Sequence, residues 1–118
     1  MRPLIFALCL SPWATAFAAT PTFPESYQGI WDQSEQQCRL AESETRMQVQ
    51  QTQVQYYESI AKPANIELTN IGLTITMIYS GEGETWQEKS NWMLSDKRDQ
   101  LTIKHPGYTP FTYVRCPE

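Results

Sequence analysis

Apolar and polar positions alternate along most of the chain. Met47 and Val49 alternate with Arg46, Gln48 and Gln50. Val54, Tyr56 and Glu58 alternate with Gln53, Gln55 and Tyr57. Leu73, Ile75, Met77 and Tyr79 alternate with Thr74, Thr76 and Ser80, the clearest pattern in the chain. Trp86, Glu88, Ser90, Trp92 and Leu94 share one face of the following segment, and Gln87, Lys89 and Asn91 the other. Leu101 and Ile103 alternate with Thr102 and Lys104, and Phe111, Tyr113 and Arg115 share a face of the last segment. A period of two belongs to a strand buried on one side. Tyr27-Gln28-Gly29-Ile30-Trp31 predicts a first short strand, and Ile66 and Leu68 another. The polar stretch Ser34–Ser43 is the one segment that predicts a helical turn.

Turn signals separate these runs: Lys62-Pro63-Ala64-Asn65, Asn70-Ile71-Gly72, Gly81-Glu82-Gly83, Ser95–Asp99 and His105-Pro106-Gly107. Pro sets φ, while Asn and Gly reach positive φ without a steric cost. About eight short strands with turns every 8–12 residues or so read as all-β, with neighbours antiparallel. A small up-and-down barrel is the expected architecture, because closure removes the exposed edges on which other chains could pair. A β-sandwich is the alternative. At 118 residues, with no repeat and no linker, the chain holds one domain.

The first residues carry a different pattern. Arg2 is followed by the apolar run Leu4-Ile5-Phe6-Ala7-Leu8-Cys9-Leu10 and by the small-x-small site Ala16-Phe17-Ala18. This is the layout of an export signal, cut after Ala18 or Ala19. The expected organisation is a signal peptide over 1–19, an extended Pro-containing arm over 20–26 and a β-domain over 27–118. The apolar run is too short to span a bilayer, which takes about 20 residues, so no transmembrane segment is expected. A bacterial periplasmic or secreted location follows.

Cleavage would remove Cys9 and leave Cys38 and Cys116, and an even pair in an exported chain reads as a disulfide. Such a bridge would close nearly the whole mature chain. A domain of about 100 residues has a thin core, and a long cross-link is a large contribution to its stability.

Charge and composition remove several function classes. A net charge of −4 opposes nucleic-acid binding, which needs a basic face. One histidine and no Cys-x-x-Cys oppose a structural zinc site and a His-based triad. No catalytic residue, cofactor or metal ligand is assigned.

Gly29-Ile30-Trp31 opening the first strand, with Arg115 on the last, resembles the signature of the calycin barrels, which include the lipocalins. The resemblance implies that Arg115 packs across the Trp31 indole and closes the bottom of the barrel, with Gly29 allowing the close approach. An Arg over an indole gains about 0.5–2 kcal/mol. Gly29-Ile30-Trp31-Asp32-Gln33-Ser34 with Cys38 following is also similar, more weakly, to bacterial periplasmic metalloprotease-inhibitor barrels. In those proteins an N-terminal arm enters the protease cleft. Their second cysteine lies nearer the first than Cys116 does here.

Three groups carry candidate chemistry. Glu82, Glu84 and Glu88 form a carboxylate cluster or a soluble hairpin tip. His105 is a base without a placed partner, or a turn residue. Tyr56, Tyr79, Trp86 and Trp92, with Phe111, either line a pocket or fill a thin core. The first four are the candidate binding residues. The expected function is an exported, non-enzymatic binding or inhibitor module, monomeric, acting on a protein or a small apolar ligand through its loops or open end. An accessory role in the cell envelope, or carriage of a small apolar ligand, is the alternative.

Overall fold

The computed structural model describes residues 20–118, so the expected signal peptide lies outside the described residues. Eight strands form one closed barrel in the order β1 to β8, each antiparallel to the next. They are β1 (Gly29–Asp32), β2 (Met47–Val49), β3 (Val54–Gln55), β4 (Ile60–Leu68), β5 (Leu73–Gly81), β6 (Glu84–Leu94), β7 (Gln100–Lys104) and β8 (Phe111–Arg115). The ring closes where β1 pairs with β8, with Trp31 opposite Arg115 and Asp32 opposite Val114. The all-β, up-and-down barrel expected from the alternation is the observed fold.

The core is the inward half of that alternation. Trp31, Met47, Val49, Val54, Ala61, Leu73, Ile75, Met77, Trp92, Leu101 and Ile103 are all buried. Removing this apolar surface from water is the main stabilising term of the fold.

Two local expectations are corrected, and the expected helical turn is present. Lys62-Pro63-Ala64-Asn65 does not turn; it lies inside the nine-residue strand β4. The register shifts between Pro63, opposite Met77, and Asn65, opposite Thr76. This bulge absorbs the proline, which has no N–H to give to the ladder, and its ring faces the buried side. The turn falls earlier instead: β3 stops at Gln55 and the Tyr56 N–H donates to the Ser59 carbonyl at 2.8 Å. The first strand begins at Gly29 rather than Tyr27, because Glu25–Tyr27 form a single 3-10 turn. The helical segment is one short turn, α1 (Glu35–Cys38), whose N-terminus is capped by the Ser34 hydroxyl accepting from the Gln37 N–H at 3.1 Å.

The residues before β1 are packed against the barrel. The Phe23 N–H donates to the Gln51 carbonyl at 2.9 Å, and its ring meets Trp92 at 5.3 Å between centroids. Phe23 is only 2% exposed.

Candidate functional site

The two ends of the barrel differ, and the difference starts with Arg115. Its guanidinium lies over the Trp31 ring, with Cζ 4.3 Å from the centroid. It also donates to the carbonyls of Ser26 and Gln28, each at 2.7 Å, and of Arg98 at 2.8 Å. One side chain thus ties the 3-10 turn, the entry to β1 and the β6–β7 turn to the end of β8. Planar, fixed donors suit a guanidinium to this task and not an ammonium. Gly29 makes the approach possible: a Cβ there would sit 2.6 Å from Arg115 Nη1. Trp31 is fully buried, and its Nε1–H donates to the Tyr27 carbonyl at 3.0 Å. With Phe23 and Tyr27 buried beside it, this end is closed.

A second anchor sits on the outer side of β1. Trp31 points inward, so Asp32 points outward, yet its side chain is completely buried. It accepts from the Thr45 hydroxyl at 2.6 Å, the Gln33 N–H at 2.8 Å and Arg46 Nε at 3.2 Å. Burial pushes its carboxyl up, but these hydrogen bonds outweigh burial and hold it below the ordinary carboxylate value. Arg46 Nη2 also donates to the carbonyls of Gln37 and Leu40, each at 2.7 Å. The Cys38–Cys116 disulfide then fastens α1 to the end of the chain, with Cα atoms 5.4 Å apart. Pairing of these two cysteines is as the count implied. The Asp32–Arg46 pair was not foreseen, since nothing local distinguishes these two charges from surface ones.

The opposite end is open. Tyr56, Tyr79, Trp86 and Trp92, the four candidate binding residues, line one cavity of about 220 Å³. Tyr79 stacks on Trp86 at 5.4 Å with an interplanar angle of 7°, and Tyr56 meets Tyr79 at 5.7 Å. Trp92 forms the floor; it is buried, and its Nε1–H donates to the Ser90 hydroxyl at 3.0 Å. Trp86 is 39% exposed and forms the rim. Met47, Ser59, Ile103 and Tyr113 complete the wall, joined by Glu88 and His105. Tyr113 had a readable signal, because it shares the inward face of β8 with Arg115. Phe111 stands outside the lining, 42% exposed and edge-on to Tyr113 at 5.1 Å.

The polar groups separate in a way the sequence did not show. Glu88 leaves the expected carboxylate cluster and comes to the cavity, where its Oε1 lies 3.6 Å from His105 Nδ1. Glu82 sits at the β5–β6 tip beside Glu58; a hydrogen bond to Glu82, then its charge, raises the Glu58 carboxyl. Glu84 is exposed on the same hairpin. The tyrosine hydroxyls around the cavity are all pushed up. Burial is the largest cause for Tyr56, Tyr79 and Tyr113, with the Glu88 charge adding to the first two and Asp32 to the third.

No family model, curated protein or solved structure matches the chain. Fold and site define its class by architecture: a closed, eight-stranded antiparallel barrel, capped at one end and open to an aromatic cavity at the other. Among the described residues, no helix is long and apolar enough to cross a membrane.

Proposed function

We propose that this protein is an exported, non-enzymatic binding module of calycin type, monomeric, that takes a small ligand or a projecting group of a partner into the open end of its barrel. The observation that carries this reading is the convergence of Tyr56, Tyr79, Trp86 and Trp92 on one cavity. Concave sites lined by rings with a few polar groups are the usual form of small-molecule sites. The capped end supports the same reading, since a rigid base holds the cavity walls in place. The Arg115–Trp31 stack is the calycin-like feature, and the Cys38–Cys116 bridge is compatible with an oxidising compartment.

Action through a free N-terminal arm, as in the protease-inhibitor barrels, has less support. Phe23 is buried against Trp92, so inserting it elsewhere would first expose that surface. Amide chemical shifts recorded against a library of small aliphatic, aromatic and amine compounds test the proposal. Shifts at Tyr56, Tyr79, Trp86 and Glu88 are expected for a subset. A library that moves none of them overturns the reading.

A further inference from the structure

We infer that the open end is built for a small organic cation, an alkylammonium head group held by the aromatic walls and by Glu88. The inference rests on the open end being a binding site, and it names the chemistry of the occupant.

The walls are largely aromatic side chains. Tyr56, Tyr79, Trp86 and Tyr113 surround the space, and an aromatic face carries the negative part of the ring quadrupole. A cation among such rings is attracted to each, most strongly by tryptophan, and more so where water is partly excluded. An anion is repelled by the same faces.

The charge in the lining has the same sense. Among the described residues, Glu88 is the only carboxylate in the lining, and no Lys or Arg lines the cavity. Glu88 is on the inward face of β6, two positions from Trp86, so the rim carries an indole and a carboxylate together. The His105 imidazole stands beside it, with Nδ1 3.6 Å from Glu88 Oε1, beyond hydrogen-bond distance. The side chain of Glu88 is about half exposed, 47%, so a ligand entering the open end can reach it. Burial is the largest cause of the raised Tyr56 and Tyr79 hydroxyls, and the Glu88 charge adds a smaller push to both.

Size sets the class of ligand. The cavity of about 220 Å³ has room for about seven waters. Pockets for larger organic ligands run from about 300 Å³ upward. A compact head group fits; a lipid tail does not.

The test compares choline with 3,3-dimethylbutanol, its uncharged isostere, by amide chemical shifts and calorimetry on the whole protein. Choline is expected to shift Tyr79, Trp86 and Glu88 and to bind at least about tenfold more tightly than the alcohol. Glu88→Gln, a change at a half-exposed position, is expected to weaken choline by about tenfold and leave the alcohol unchanged. Equal binding of the two compounds, or binding of the alcohol alone, overturns the cation inference while leaving a binding site. Failure of both, together with a silent compound library, overturns the site as well. Vesicles of phosphatidylcholine and of phosphatidylglycerol separate the sources of the head group. Co-sedimentation with the choline lipid alone, lost in Glu88→Gln, supports a lipid head. A response to free choline without co-sedimentation supports a soluble cation.

Discussion

The guanidinium of Arg115 occupies the space that a side chain at position 29 would need. A Cβ on Gly29 would lie 2.6 Å from Nη1, and φ at this residue is +134°, where an L side chain is strained. The displaced atom ends a flexible side chain, but three carbonyls hold it, so it cannot move without losing hydrogen bonds. Gly29→Ala is therefore expected to destabilise the protein by about 2–3 kcal/mol, read from urea unfolding. Arg115→Ala should cost about 3 kcal/mol through lost charge-assisted bonds and the indole contact. Arg115→Lys should recover only a minor part of that loss. Wild-type stability in either Ala variant would remove Arg115 as the closure of this end.

Gly72 gives a second backbone prediction at the same end. A Cβ there would fall 2.1 Å from the Trp92 carbonyl oxygen, a backbone atom with no freedom to retreat. Gly72→Ala should lower Tm by more than Gly29→Ala does. The comparison is made by thermal unfolding of the two variants side by side.

Phe23 should behave as core. It is 2% exposed and its ring meets Trp92, so Phe23→Ala is expected to cost about 3–4 kcal/mol in urea unfolding. Replacement of exposed Thr22 by Ala should leave stability within about 0.5 kcal/mol.

The disulfide predicts both a labelling pattern and a stability change. Without reductant, peptide mapping after alkylation should find Cys38 and Cys116 unlabelled and joined. The bridge spans 78 positions, for which the chain-entropy account gives about 4.5 kcal/mol. Reduction should therefore move the urea midpoint sharply downward.

Stability should fall at both pH extremes for separate reasons. The Asp32 carboxyl is held below its ordinary value in the fold, so the unfolded chain takes up that proton first as pH drops. Its contribution is complete above the ordinary carboxylate value of 3.8 and is lost as pH falls below it. The hydroxyls of Tyr56, Tyr79 and Tyr113 are raised, so the unfolded chain loses those protons first as pH climbs through the ordinary value of 10.0. Stability then declines from that value upward. Urea midpoints across pH should show both slopes, and Asp32→Asn should flatten the acid one.

Much of the barrel is legible along the chain because a strand's in–out alternation is local. The faces of β2, β5, β6, β7 and β8 follow from neighbours two positions apart, and β5 and β6 carry the clearest cases. The same local reading fails at Pro63, where a turn residue sits within a strand. Only the pairing with β5 supplies the bulge that accommodates it.

Alternation alone places the inward residues of β2, β5, β6, β7 and β8 and counts about eight strands, but it misses Ala61 and Pro63 of β4. The sequence by itself also named Tyr56, Tyr79, Trp86 and Trp92 as one group, because each is an aromatic on a strand segment. Tertiary structure decided where that group stands: at the open end, around a cavity, with Trp92 as floor and Trp86 as rim. It also brought Glu88 to within 3.6 Å of His105 and buried Asp32 beside Arg46. The physical reason is register. Which residue of β6 faces the end of β7, and what covers the outside of β1, depends on strand stagger and ring closure, which no local pattern encodes.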